Sequence, residues 1–360
     1  MQGMELCRRF YEDCVRGVLA RRFAGMEYSA GLLGFGSDVL GYDDEVSRDH
    51  MWGPRLYIFL DGSGAHRAGE VYAALARELP RRFMGFSVDF GTPDGGGISA
   101  MREGGEELHP LIRIGALGDY LASELGVTGA QGLRAADWLA LSEHKLLTLR
   151  EGRLFHDGLG LERELRGFYY YPREVWLYLL MSDWACLAEE RAFVKRTASR
   201  GDELGSRIIC ARIAQRIMHL CFLYERRYAP YAKWLGTAFA GLGSARRVAP
   251  LLERALGAGD PLERERAIAE AQAAMIELHN EAGLTAPVSP ELHRYYGRDI
   301  LVADSDSVQG ALRELLRGTE LESLPPLGSL SAVGNLVELT ESADNLARVR
   351  AIYERPGERG

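Results

Sequence analysis

Apolar residues recur every three or four positions over residues 4–23 (Leu6, Phe10, Val15, Val18, Leu19), a spacing that predicts a helix with one buried face. "MEYSAGLLGFG", residues 26–36, is short, apolar and glycine-ended, like a strand running into a turn. "RLYIFLDGSG" from Arg55 predicts a second strand, closed by Asp61 and Gly62. "AGEVYAALARELPRRF" from Ala68 predicts a helix that Pro80 stops. "FMGFSVDFGTPDGGG" from Phe83 predicts a third strand and then a Gly-rich loop. "HPLIRIGALGDYLASELG" and "AADWLALSEHKLLTLREG" add further short elements before residue 153.

The pattern changes after "LFHDGLGLERELRGFYYYP". From Pro172 onward helical spacing dominates, over 173–199, 202–227, 230–241, 244–256, 260–282 and 306–317. Asp202 is a plausible N-cap, because its side-chain oxygen accepts from the free amides of the first turn. Gly257 and Gly283 are plausible stops. The fold class expected is therefore α+β: a small mixed-sheet domain over 1–165, then an α-helical bundle over 166–360. Such a division leaves room for a ligand cleft between domains.

Composition narrows the partners. The net charge of −8 argues against duplex nucleic acid, which needs a basic footprint. Five cysteines with no CxxC pair read as free thiols in a reducing compartment. The first residues carry charge throughout and lack the apolar core of a signal peptide. The longest apolar stretch, "VWLYLLMSDWACLA", is broken by Asp183 and is too short to span a bilayer. The expectation is a cytoplasmic protein with no membrane partner.

"GFGSDVLGYDDEVSRDHMW" carries the candidate chemistry. Gly36 lets backbone approach a phosphate, and Ser37 adds a hydroxyl and a helix-start amide. An acid opening the next strand suits Mg²⁺, which prefers hard oxygen ligands shared with substrate phosphates. These residues resemble the signature of the DNA polymerase beta-like nucleotidyltransferase superfamily: an apolar strand, Gly-Ser, about ten residues, then Asp-x-Asp. The fuller string is similar to a bacterial group in which a nucleotidyltransferase-like domain precedes a helical domain of unknown function. "YYPREVWLYLL", "GDELGSRIICARI" and "CFLYERRYAPYAKWLGTAF" resemble that second domain.

The resemblance implies a fold with a nucleotidyltransferase-like sheet domain ahead of the bundle. It implies metal-dependent transfer of a nucleoside monophosphate from a triphosphate to a small-molecule acceptor, with Mg²⁺ (or Mn²⁺) as cofactor. Gly36 and Ser37 match the Gly-Ser step, Asp49 the first metal carboxylate, and Asp89 the third. The second should fall at position 51, which is Met51, and a thioether is a poor Mg²⁺ ligand. Asp43, Asp44 or Glu45 substitutes only if the loop folds back. The alternative is thus a catalytically lapsed nucleotide-binding or regulatory protein.

On the 202–227 helix, Arg212, Arg216 and His219 share one face. They read either as a polar stripe or as a basic wall facing a triphosphate, since guanidinium suits phosphate. The resemblance adds Tyr231 and Lys233 as candidate nucleotide ligands. His50 either orients Asp49 or is a satisfied strand-end histidine. Trp52 reads as packing, and the His-Asp pair of "FHDG" (155–158) as a turn.

Overall fold

The computed structural model describes residues 1–354 apart from 49–50, 63, 92–98, 334–338 and 341. The chain divides into two compact units. The first comprises Met1–Gly132, Lys145–Tyr169 and Glu341–Asp344; the second comprises Leu133–His144, Tyr170–Thr340 and Asn345–Gly360.

The first unit is built on a mixed four-stranded sheet. Its strands are β1 (Tyr28–Leu32) and β2 (Arg55–Leu60), then, beyond a two-residue hairpin of β3 (Arg82–Phe83) and β4 (Phe86–Ser87), β5 (Leu111–Gly115) and β6 (Arg153–Asp157). The order is β5-β2-β1-β6, with β2 and β5 parallel and the other neighbours antiparallel. Every residue of β2 is buried, which fits its apolar run "LYIFL" in a central strand, with Arg55 at its start paired to Asp38. The β1–β6 register slips between Ala30 and Gly31, and there only glycine fits. A Cβ on Gly31 would lie 2.2 Å from the Arg153 carbonyl oxygen.

The expected first helix forms, in three parts: Gly3–Phe10, a π-helical turn Tyr11–Val15, and Arg16–Arg22. Its apolar face (Leu6, Phe10, Leu19) packs with Val71 and Leu75 of the Ala68–Glu78 helix and with Ala30, Ile58 and Ile112 of the sheet. The third strand predicted around Asp89 is corrected. Among its described residues that stretch yields the β3–β4 hairpin and an isolated Phe90–Met101 bridge, while "LIRIG" enters the sheet instead. "FSVDFG" alternates apolar and polar residues and so resembles a strand locally, but its backbone amides find loop partners: Phe90 donates to the His109 carbonyl and Gly91 to that of Ala100.

The second unit is dominated by helices: Arg173–Glu190, Phe193–Ala198, Glu203–Tyr224, Ala232–Ala240, Ala245–Gly257, Pro261–Ala282 and Ser305–Glu314. The segment expected as one helix over 173–199 is two. Asp202 caps as expected, its Oδ1 accepting from the Gly205 amide at 2.8 Å. Gly283 ends its helix in the left-handed conformation, φ 62°. Leu180 and Trp184, Ile217 and Leu220, and Ile268 and Met275 are fully buried on three of these helices. The indole of Trp176 donates to the Leu223 carbonyl at 2.7 Å, tying two of them together. A short hairpin, His293–Arg294 with Leu301–Val302, is the one sheet element described in this unit. No helix among the described residues is long and apolar enough to cross a membrane.

Candidate functional site

The site assembles inside the helical unit. Arg212, Arg216 and His219 lie at i, i+4 and i+7 on the Glu203–Tyr224 helix, one ridge along its face. Asp183 comes from the Arg173–Glu190 helix, where it interrupts an otherwise apolar run and is 1 % exposed. A bare carboxylate there would be costly, so it must be paired. His219 Nδ1 sits 2.5 Å from Asp183 Oδ2, and Arg216 Nη1 donates to Asp183 Oδ1 at 2.9 Å.

The other face of the imidazole meets a second buried acid. His219 Nε2 is 2.9 Å from Glu143 Oε2, and Glu143 Oε1 accepts from the Ala229 amide at 2.9 Å. A histidine that donates from both ring nitrogens is the imidazolium. Burial opposes that charge, but the facing carboxylates of Asp183 and Glu143 outweigh it and push His219 up to about 10. Burial likewise works against the Asp183 carboxylate, and His219 and Arg216 still hold it below the ordinary carboxylate range. Two acids and two cations thus balance in one hydrogen-bonded set.

This set borders a cavity of about 630 Å³, within the size range of small-molecule sites. Glu143, Arg216 and His219 line it, with Arg212, Tyr231 and Lys233. The arrangement has polarity. The Asp183 and Glu143 side chains are 2 % and 3 % exposed, whereas Arg216 is 27 % and Arg212 57 % exposed. Arg212 pairs with Glu190. Lys233 is exposed and leans over the Trp234 ring, 4.8 Å from its centroid. Tyr231 packs edge-on against the His144 ring, 4.6 Å between centroids. The cations therefore face the cavity together with Glu143 and Glu190, and Asp183 lies behind them.

The remaining expected site residues belong to the α/β unit and to local networks. Gly36, at φ 139°, precedes a short helical turn. A Cβ there would lie 2.2 Å from Asp38 Oδ1 and 2.4 Å from Arg55 Nη2, so the space beside it is filled by a buried ion pair. The Ser37 hydroxyl donates to the Ser47 carbonyl at 2.7 Å. Asp89 accepts from Arg102 Nε and from the His109 amide, each at 2.8 Å. Burial opposes its ionisation, yet these donors keep it below the ordinary range. Asp49 and His50 lie outside the described residues.

The described donors do not compose the oxygen-rich set that Mg²⁺ or Mn²⁺ takes. Asp89 is committed to Arg102 and His109. Met51 is buried, its sulfur accepting from the Ser99 amide at 3.4 Å. No group of three or more His, Cys, Asp or Glu side chains placed to hold a metal ion occurs among the described residues. In this unit, the gap beside Tyr120, Lys145 and Thr148 is only about 10 Å³. Trp52 packs as expected, its indole donating to Asp43 at 2.9 Å. The turn expected at "FHDG" is corrected: Phe155–Asp157 end strand β6, His156 and Asp157 pairing with Ala30 and Ser29 of β1, and Asp157 accepts from the Ser29 hydroxyl and from the amides of Leu161 and Glu162.

Residues 138–235 match the model of a family described as a domain of unknown function, DUF4037. That span holds Glu143, Asp183, Arg212, Arg216, His219, Tyr231 and Lys233, so the whole charged set falls within it. No curated protein and no solved structure matches the chain.

Glu143 and Asp183 were not singled out by sequence reasoning. Asp183 had a visible signal, an acid amid "LYLLMSDWACL", whose burial demands a partner. Glu143 had none, because "LSEHK" reads as an ordinary helix start.

Proposed function

We propose that this protein binds a phosphate-bearing small molecule of nucleotide size in its helical unit. One observation carries the reading: a cavity of about 630 Å³ whose wall presents Arg212, Arg216 and Lys233 beside Glu143 and Glu190, with the buried Asp183 behind Arg216. Arginine offers paired N–H donors that match phosphate oxygens, and lysine adds a mobile point charge. Tyr231 and His144 supply a flat, partly apolar edge for a base or sugar.

Of the two sequence-level readings, nucleotide binding without transfer is the better supported. Asp89 is held by Arg102, and the position expected for a second carboxylate is a buried methionine. The Gly36-Ser37…Asp49 pattern favours the second reading, metal-dependent nucleotidyl transfer to a small-molecule acceptor. In that reading Gly36 and Ser37 cradle phosphate and Asp49 and Asp89 are the carboxylates for Mg²⁺.

Thermal shift with ATP, GTP, CTP and UTP, with and without Mg²⁺, on wild type and Asp49→Ala separates them. A ligand bound only by the folded form raises its melting temperature. A shift indifferent to Mg²⁺ and retained in the variant supports binding alone. A Mg²⁺-dependent shift lost in the variant, with pyrophosphate release, supports transfer. No shift with any of the four overturns the nucleotide reading.

A further inference from the structure

We propose that the cavity of the helical unit grips a phosphoryl or pyrophosphoryl group directly, through Arg212, Arg216 and Lys233, with no divalent metal bridging them. The proposal deepens the nucleotide reading and rests on it only for what the phosphate is attached to.

Among the described residues the donors are in place and unspent. Arg216 uses Nη1 for Asp183 and leaves Nε and Nη2 free. Arg212 uses Nη2 for Glu190 and leaves Nε and Nη1 free. Among the described residues the Lys233 ammonium has no hydrogen bond or ion pair, and it lies over the Trp234 ring. The two arginines are one helical turn apart, so their guanidinium groups lie on one stripe.

The counter-charge around these donors is locked. Asp183 would neutralise Arg216 alone, but it is shared with His219, which Glu143 also holds. Both Glu143 oxygens are occupied, by His219 and by the Ala229 amide. Counting Asp183, Glu143 and Glu190 against Arg212, Arg216, His219 and Lys233 leaves one positive charge at the cavity. An anion entering there meets preset N–H donors, and charge-assisted hydrogen bonds of this type are about twice as strong as neutral ones. A metal is the usual neutraliser of polyphosphate in nucleotide enzymes. Here the side chains themselves provide that charge.

The test is calorimetric titration of pyrophosphate into the full-length protein in EDTA, at fixed ionic strength, with sulfate as the comparison anion. Pyrophosphate should bind in EDTA at least about tenfold more tightly than sulfate. Lys233→Ala and Arg212→Gln alter exposed side chains; each should weaken binding about tenfold, one charge-assisted contact, with an unchanged melting temperature. The proposal is overturned if pyrophosphate fails to bind, needs Mg²⁺, is matched by sulfate, or binds both variants as it binds wild type. Nucleoside triphosphates distinguish the two claims. If pyrophosphate binds and they do not, the nucleotide reading falls and this subsite stands. If they bind equally to both variants, the subsite falls alone.

Discussion

His219 Nδ1 lies 2.5 Å from Asp183 Oδ2. With Glu143 on the opposite ring nitrogen, the histidine is clamped as a cation between two buried acids. Its pKa rises from the ordinary 6.5 to about 10, so it binds its proton more tightly folded than unfolded. The stability it contributes is fully present below pH 6.5 and is lost as pH climbs through 10. Wild type should therefore lose melting temperature across that window, and His219→Gln should lose much less. At pH 7 the variant itself should be destabilised by roughly 3–5 kcal/mol in denaturant unfolding, because two buried carboxylates lose their partner. An alkaline limb identical in both proteins would contradict the clamp.

The opposite behaviour is expected of His279, 1 % exposed. The Thr285 hydroxyl donates to the Ala286 carbonyl, so it accepts from His279 Nε2 at 2.7 Å, and Nδ1 accepts from the Tyr224 hydroxyl at 3.0 Å. The ring is neutral, and burial lowers its pKa from 6.5 to about 4. Its contribution is present above pH 6.5 and lost as pH falls through 4, roughly 3 kcal/mol in all. His279→Gln should flatten the acid limb of the stability curve while leaving the alkaline limb to His219.

Gly36→Ala should be costly whether or not the turn touches a ligand. The residue sits at φ 139°, and its Cβ would collide with the Asp38–Arg55 pair. Strain plus a disturbed buried ion pair should cost about 2–4 kcal/mol by chemical denaturation. Asp38→Asn should cost about the same, since Arg55 would keep its charge without a counter-ion. A neutral Gly36→Ala would mean that this pair tolerates displacement.

Met51→Asp is the companion to the transfer test. Position 51 is buried and at φ 51°, a backbone region that Asp adopts more readily than most residues. The desolvated carboxylate dominates, so stability should fall by about 1–3 kcal/mol without metal. Recovery of that loss on adding Mg²⁺, together with pyrophosphate release, would point to a lapsed catalyst. The same loss in Mg²⁺ and EDTA would leave the binding reading in place.

Much of the fold was legible because it rests on period and punctuation. The 3.6-residue rhythm marked the helices beginning at Gly3, Ala68, Glu203 and Pro261, and "RLYIFL" announced a central strand. Asp202 and Gly283 marked helix ends by chemistry that is local in sequence. The strand at Leu111–Gly115 was harder. Its membership depends on pairing with Arg55–Leu60, more than fifty residues away, and "FSVDFG" offered an equally strand-like rhythm with no partner to test it. The candidate site was half legible. Helical spacing put Arg212, Arg216 and His219 on one face, but whether they are a free basic wall depends on acids from other segments. Asp183 and Glu143 stand 36 and 76 residues from His219, and no local pattern links them.

The residue after Asp183 gives the protein a native optical reporter. Trp184 is fully buried, and its indole N–H donates to the Tyr224 hydroxyl at 2.7 Å, the head of the line that runs on to His279 and Thr285. Any occupant of the cavity that tugs on Asp183 also shifts the field at its covalent neighbour. Emission colour and quenching of that chromophore can therefore follow occupancy in the unlabelled chain, with Trp184→Phe as the blank.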